Sequence, residues 1–178
     1  FWFNRIITPK NYESKIIDLL GVKYILSLTD LESDKLIKVF QEGQTRVYEN
    51  KNALPRIFFL DNVQNVNSKE EAIKDMFESI FDFRKQAVAE KPKNLPGNAR
   101  FPTELSIGKA EIVLYFPNKV VIRTINEGEG FLVLTDSFYP TWQALAYSID
   151  EPIDSEAFPN RRIYPTNFHF RGVFIPAG

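Results

Sequence analysis

Residues 111–135 read EIVLYFPNKVVIRTINEGEGFLVLT, and this stretch decides the fold class. Two runs rich in branched and aromatic side chains, residues 111–116 and 120–125, flank the turn-forming residues 117–119, which is the pattern of a β-hairpin. Residues 131–135 then form a continuous apolar run, which indicates a strand at a central position of a sheet. The stretch therefore predicts short antiparallel strands joined by tight turns.

Further short strands are predicted on both sides of this stretch. They cover residues 22–28, 36–40, 45–49, 56–63, 142–147 and 168–175. Short strands at close spacing, separated by Gly, Pro and Asn, are typical of sandwiches and open barrels. We therefore predict an α+β, mainly β fold with an antiparallel β-sandwich or jelly-roll-like second half.

Two short helices from the N-terminal half are expected to pack on this sheet structure. Residues 11–20 carry apolar side chains on one helical face, and Gly21 follows them at a position where glycine tolerates the left-handed conformation. Residues 68–81 begin with a capping box, Ser68 and Glu71, and continue with an apolar stripe. We expect three side chains of this stripe to be largely buried: Met76, Phe77 and Ile80.

The chain of 178 residues is predicted to form a single soluble domain, residues 1–178. Residues 1–20 are interpreted as a lead-in segment that contains the first helix. Residues 91–102 hold three prolines and Gly97, and they predict a loop. The longest apolar runs are much shorter than the roughly 20 residues that a helix needs to span a bilayer.

Composition excludes several kinds of functional site. Lys and Arg number 22 against 23 Asp and Glu, so the formal charge of −1 gives no reason to expect nucleic acid as a partner. No cysteine is present, which excludes disulfides, Cys-ligated zinc, iron–sulfur clusters and a cysteine nucleophile. His169 is the single histidine, and its place between Phe168 and Phe170 predicts a solvent-facing strand position instead of a catalytic base.

The acidic residues do not form a recognisable metal site. The stretch 147–164 is rich in carboxylates but lacks the D-x-D-x-D-G spacing of a calcium loop, so a solvated surface loop is the expected structure. The sequence also lacks the glycine-rich phosphate-binding motifs and the G-x-S-x-G motif of hydrolases. We therefore expect no metal, no cofactor and no catalytic residue in this chain.

Four segments, in this order along the chain, resemble a known family. They are LGVKYIL at residues 20–26, VYEN to LPR at residues 47–56, GFLVLTDSFYPTWQA at residues 130–144, and FRGVFIPAG at residues 170–178. Together they resemble the extracytoplasmic C-terminal region of bacterial YfhO-type polytopic membrane proteins. The resemblance runs from about residue 20 to residue 178.

This resemblance implies a location and a role for the parent protein. YfhO-type proteins are similar to GT-C glycosyltransferases, which use polyprenyl-phosphate sugars as donors on the outer face of the membrane. The resemblance implies membrane helices before Phe1 and at least one after Gly178, with this domain on the extracytoplasmic side of the cell membrane. The expected partners are the membrane-embedded part of the same chain and a cell-surface glycan or a polyprenyl-phosphate sugar.

The resemblance also implies one feature of the sheet. The family pattern continues with a further strand beyond residue 178, so we expect residues 170–175 to pair in a sheet and to border an edge that is either open or filled by a neighbouring molecule. An open edge is a template for pairing with a second chain.

The candidate site residues are those of the resembling segments that suit sugar binding: Asp136, Tyr139, Trp142 and Arg171. Aromatic rings stack on the apolar faces of sugars, while Asp and Arg bond hydroxyl groups or a phosphate. A purely structural interpretation is also open, in which Trp142 fills the core and Asp136 bonds its own turn.

These observations predict a non-catalytic extracytoplasmic domain of a multi-spanning membrane protein that acts in cell-surface glycosylation with lipid-linked sugar donors. The alternative is a stand-alone carbohydrate-binding β-sandwich module. A hydrolase is a third interpretation, and it needs two facing carboxylates that the sequence does not single out.

Overall fold

The computed structural model describes residues 12–78, 80–91, 101–146 and 160–178. Strands hold 45% of these residues and helices 9%, which confirms the predicted α+β, mainly β, sandwich-like fold class. The chain divides into two compact units, Phe1–Pro55 and Arg56–Gly178. Most of the predicted loop 91–102 and of the acidic stretch 147–164 lies outside the described residues, and the single-domain interpretation stays a prediction.

The first unit combines a short helix with a three-stranded antiparallel sheet of order β1-β3-β2. Its elements are α1 (Lys15–Leu19), β1 (Tyr24–Ser27), β2 (Leu36–Glu42) and β3 (Thr45–Asn50). The Ser14 side chain accepts a hydrogen bond from the backbone of Ile16 and caps α1. Gly21 follows the helix at φ +67°, as the sequence predicts, and the hairpin β2–β3 is confirmed.

The second unit contains the remaining strands and one helix. They are β4 (Ile57–Leu60), β5 (Asn62–Val66), α2 (Lys69–Met76), β6 (Gln86–Glu90), β7 (Lys109–Phe116), β8 (Lys119–Ile125), β9 (Gly130–Leu134), β10 (Ala144–Leu145), β11 (Asn160–Arg161), β12 (Ile163–Thr166) and β13 (Phe170–Ile175). Strands β7 and β8 form the hairpin that the sequence predicts. Strands β10 and β11 form a second two-stranded ribbon.

The core of the second unit is a six-stranded sheet of order β4-β9-β13-β12-β6-β5. All five residues of β9 are buried between β4 and β13, which confirms the predicted central strand. Strands β4 and β5 lie at opposite edges although only Asp61 separates them, so the sheet must curl to bring its edges together. The β5–β6 pair is parallel and α2 connects it, a feature that the sequence pattern does not indicate.

Helix α2 begins as predicted but ends early. Met76 is buried, yet Phe77 and Ile80 are 62% and 83% exposed, so the prediction that both are buried is wrong. Just downstream, Phe81 and Phe83 are both buried instead, and their rings meet edge to face with centroids 5.0 Å apart. Phe77 is the C-cap of α2, and beyond it the chain continues in turns, with the Phe81 N–H donating to the Glu78 carbonyl oxygen at 3.1 Å.

Strand β13 differs from the prediction at its edges. Its pairing in a sheet is confirmed, but it pairs with β9 on one side and with β12 on the other, so the expected open edge is wrong. The second neighbour is β12, a strand that the sequence pattern does not indicate. His169 lies in the turn between β12 and β13 and not on a strand, although it is exposed as predicted.

Candidate functional site

The candidate site lies where three neighbouring strands of the six-stranded sheet meet at one end. Ile57 of β4, Leu134 of β9 and Arg171 of β13 form one row across the sheet. Arg56 immediately precedes β4 and Asp136 follows β9 by two residues, so the antiparallel pairing places both beside Arg171. The backbone oxygen of Arg56 accepts hydrogen bonds from the backbone and the hydroxyl group of Thr135 at 2.9 and 3.2 Å.

Asp136 is the centre of the polar contacts in this site. Its side chain is only 9% exposed. Oδ1 accepts a hydrogen bond from Arg56 Nε at 3.2 Å, and the Tyr115 hydroxyl lies 3.1 and 3.0 Å from the two carboxylate oxygens. Arg171 Nη1 forms a longer ion pair with Oδ2 at 4.0 Å. A carboxylate that accepts from Arg56 and Tyr115 and lies beside Arg171 is held in one orientation.

Arg171 lies between a backbone carbonyl and an aromatic ring. Its Nε donates to the Ser137 carbonyl oxygen at 2.9 Å, and its guanidinium carbon lies 4.0 Å from the centroid of the Trp142 ring. The side chain is 11% exposed, and burial lowers the pKa of the guanidinium while Asp136 opposes this effect. Arginine nevertheless keeps its charge at neutral pH, so a largely buried cation stacks on Trp142.

Tyr115 brings the β7–β8 hairpin into the site. The hydrogen bond to Asp136 is the main cause of a raised pKa of the Tyr115 phenol, and burial adds to it. The phenol therefore stays a hydrogen-bond donor at neutral pH. The guanidinium of Arg56 lies over the Tyr115 ring, 5.0 Å from its centroid, so the ring also orients this arginine.

These side chains surround a surface cleft of about 300 Å³. The lining residues are Arg56, Tyr115, Phe116, Pro117, Val120, Thr135, Asp136, Ser137, Trp142 and Arg171. This volume lies at the lower end of the roughly 300–1,000 Å³ that small-molecule pockets have, so the cleft is of a size to hold one sugar ring. The lining supplies two cations, Arg56 and Arg171, and one anion, Asp136. It also supplies two aromatic rings that carry a polar group, those of Tyr115 and Trp142.

The structure brings three of the four predicted site residues together. Asp136, Trp142 and Arg171 all line the cleft. Trp142 is half-buried and Arg171 keeps a small exposed fraction, so neither is sealed in the core. Tyr139 is 63% exposed and lies outside the cleft lining, although its carbonyl oxygen accepts a hydrogen bond from the backbone of Trp142 at 3.1 Å.

Two residues of the site are missed by sequence reasoning. Arg56 lies within the resembling segment LPR, but only its pairing beside residue 135 reveals a role for its side chain. Tyr115 looks like an ordinary outward-facing residue of a hairpin strand. Both contact Asp136 from distant parts of the chain, 80 and 21 residues away, and no local pattern predicts such contacts.

The first unit has a cleft of its own, lined mainly by charged side chains around α1 and β2. At its base Lys35 Nζ contacts Asp18 Oδ1 at 3.0 Å, and the side chains are 8% and 13% exposed. Asn50 Nδ2 donates to the same oxygen at 2.8 Å. Because buried charges require partners, this group holds α1 on the sheet and has a structural role.

Three further findings bear on function. Across residues 12–78, 80–91, 101–146 and 160–178, no cluster of His, Asp and Glu has the arrangement of a metal site. Within those same residues, no helix has the length and apolar character to cross a bilayer. Among models of protein families, curated proteins and solved structures, none matches this chain.

Proposed function

We propose that this chain is an extracytoplasmic, non-catalytic domain of a YfhO-like membrane protein of cell-surface glycosylation, and that its cleft binds a glycan or a lipid-linked sugar. The observation that carries the proposal is the convergence of Asp136, Trp142 and Arg171 on one cleft. Two of these residues lie in one resembling segment, residues 130–144, and the third lies in residues 170–178.

The geometry supports binding better than bond cleavage. Both oxygens of Asp136 are engaged by Arg56, Tyr115 and Arg171, so the carboxylate is oriented as an acceptor for its own neighbours. Glycoside cleavage requires a second carboxylate facing the first, about 5–9 Å away. The other ionisable side chains of the cleft lining are the two arginines and the tyrosine.

A binding experiment with matched variants tests the proposal. The purified chain is passed over bilayers that carry a polyprenyl-phosphate hexose, with plain bilayers as the reference, and binding is followed by surface plasmon resonance. Trp142→Ala should weaken binding by about tenfold or more, because it removes the aromatic wall of the cleft. Tyr139→Ala is the matched control, since Tyr139 lies on the same segment but outside the cleft.

Two results contradict this proposal. If the Trp142→Ala and Tyr139→Ala variants bind equally well, the cleft is not the binding site. Release of free hexose by the wild-type chain, abolished by a single carboxylate substitution, would make the domain an enzyme.

The alternative of a stand-alone carbohydrate-binding module rests on the sandwich-like β fold with an aromatic side chain in its cleft. This alternative also predicts that Trp142→Ala weakens binding. It differs in what it predicts for the gene segments that flank residues 1–178. Long apolar spans encoded on either side of residues 1–178 support the membrane protein, and a gene without such spans supports the module.

A further inference from the structure

The cleft carries an unbalanced charge that the proposed glycan site does not by itself require. Arg56 and Arg171 both approach the carboxylate of Asp136, at 3.2 and 4.0 Å. Two guanidinium groups and one carboxylate leave a net charge of +1 in a pocket that is partly shielded from water. The Coulomb attraction of such a group for an anion is stronger there than in bulk water.

The two arginines also have unused donors. A guanidinium has five N–H donors, and each of these residues commits its Nε, Arg56 to Asp136 and Arg171 to the Ser137 carbonyl oxygen. Among the residues that the structure describes, the terminal amino groups of both make no hydrogen bond, since the 4.0 Å ion pair of Arg171 exceeds hydrogen-bond length. Terminal amino groups of arginine are well suited to bind phosphate oxygens through parallel hydrogen bonds.

The orientation of both guanidinium groups is fixed by their neighbours. Trp142 stacks on Arg171 at 4.0 Å, and Tyr115 lies under Arg56 at 5.0 Å. Asp136 and Ser137 hold the Nε edges, so each arginine can present its remaining edge without losing much conformational entropy on binding. Arg56 is 56% exposed, which leaves its terminal amino groups accessible to a ligand.

We propose that Arg56 and Arg171 form a phosphate subsite, so that the ligand of this cleft is a phosphorylated sugar and not a neutral glycan. The proposal rests on the proposed function for the sugar, while the phosphate contact stands on the two arginines alone. The phosphate can come from a polyprenyl-phosphate sugar in a bilayer or from a free sugar phosphate, and both present the same chemistry to the cleft.

Isothermal titration calorimetry of the full chain tests the subsite with four soluble probes: glucose, glucose 1-phosphate, glucuronate and inorganic phosphate. Glucose 1-phosphate should bind at least tenfold more tightly than glucose and than glucuronate. Its affinity should fall as salt rises from about 0.01 to about 1 M, where the screening length shrinks from about 30 to about 3 Å.

Arg56→Gln should weaken glucose 1-phosphate binding by about tenfold, the effect of losing a charged hydrogen-bond donor. Arg123→Gln is the matched control, because Arg123 is 55% exposed, ion-paired to Glu111 at 3.8 Å and outside the cleft lining. Arg56→Gln keeps the backbone oxygen that Thr135 bonds, so it should fold. Far-UV circular dichroism of both variants verifies this.

Bilayers that carry a polyprenyl-phosphate hexose separate the two sources of phosphate. Binding to these bilayers that free glucose 1-phosphate displaces supports the lipid-linked form, and binding of the free sugar phosphate alone supports the soluble form. Equal losses in the Arg56 and Arg123 variants, or equal affinity for glucose and glucose 1-phosphate, would overturn the subsite while leaving a glycan site standing. Arg56-dependent binding of inorganic phosphate with no gain from the sugar would support the subsite and contradict the proposed glycan role.

Discussion

Asn167 lies in the turn between β12 and β13 with a backbone φ of +47°. Its backbone N–H donates to the Val88 carbonyl oxygen at 2.8 Å, and its Oδ1 accepts from the Val88 N–H at 3.0 Å. The side chain thus extends the pairing of β12 with β6 beyond Thr166 and Ala89. Asparagine suits this position because it tolerates the left-handed region better than most residues.

Asn167→Ala should lower the free energy of unfolding by about 2–3 kcal/mol. It leaves the buried Val88 N–H unpaired, which costs about 1–3 kcal/mol, and alanine tolerates the left-handed region less well than asparagine. Asn167→Gly loses the hydrogen bond but relieves the backbone, so its loss should be smaller. Urea denaturation measures both. Equal losses for Ala and Gly would contradict the strained conformation, and no loss in either would contradict the hydrogen bond.

Glu90, the last residue of β6, has a side-chain oxygen that is buried and finds no hydrogen-bond partner among the described residues. Burial raises its pKa above the ordinary value of 4.5, Lys69 opposes this effect, and Glu70 adds to it. The folded state therefore binds the Glu90 proton more tightly than the unfolded state. The contribution of Glu90 to the free energy of unfolding is therefore most favourable below pH 4.5, and it declines as the pH rises through the raised pKa.

Glu90→Gln should therefore be more stable than the wild type at neutral pH, and this advantage should disappear as the pH falls below about 4.5. The measurement is the urea midpoint at a series of pH values. Glu104→Gln, at an exposed position, is the control for loss of one surface carboxylate. An advantage of Glu90→Gln that is the same at every pH would contradict a raised pKa.

Helix α2 shows how capping and burial together determine the length of an element. The Ser68 hydroxyl accepts a hydrogen bond from the Glu71 N–H at 3.1 Å, which fixes the first turn. The Glu71 carboxylate accepts from the Asn67 N–H at 2.7 Å, one residue earlier than in the usual capping box. At the far end Phe77 is the C-cap, and the buried side chains beyond it are Phe81 and Phe83 although the apolar spacing continues through Ile80.

Met76→Ala should lower the free energy of unfolding by about 2–4 kcal/mol, because Met76 is only 4% exposed and its removal leaves a cavity. Ile80→Ser should change it by less than about 0.5 kcal/mol, because Ile80 is 83% exposed. The two substitutions lie on one predicted apolar stripe, so thermal denaturation of the pair measures whether both positions are buried. Comparable losses would mean that the stripe is buried along its whole length.

At the scale of the whole molecule, the cleft and the six-stranded sheet belong to one compact unit, Arg56–Gly178. The largest fully buried side chains of this unit come from its own strands: Leu60, Val66, Val88, Phe131, Val133 and Thr166. A chain of this length can bury enough apolar surface to fold without a disulfide or a metal.

We therefore expect residues 56–178, produced alone, to fold cooperatively and to retain the cleft. Cooperative urea unfolding and near-ultraviolet circular dichroism test the fold, and the glucose 1-phosphate titration tests the cleft. The full chain is the reference for both. A non-cooperative transition, or loss of phosphate binding in a folded unit, would show that the first unit is required.

Local patterns in the sequence determine the class and position of most elements. Two runs rich in branched and aromatic residues around a turn predict the β7–β8 hairpin, and a continuous apolar run predicts the buried strand β9. Ser68 predicts the start of α2 for an equally local reason, since a cap bonds only the residues that follow it.

Only the tertiary structure decides which strands are neighbours. Strand β9 lies between β4 and β13, two strands from distant parts of the chain, and β12 fills the edge expected to be open. The same order brings Arg56 to Asp136 across 80 residues and places Arg171 beside both. Periodicity records which face of a strand is apolar, but not which strand lies beside it. The cleft therefore follows from tertiary packing. The sequence singles out three of its residues, Asp136, Trp142 and Arg171, but it does not show that they lie together.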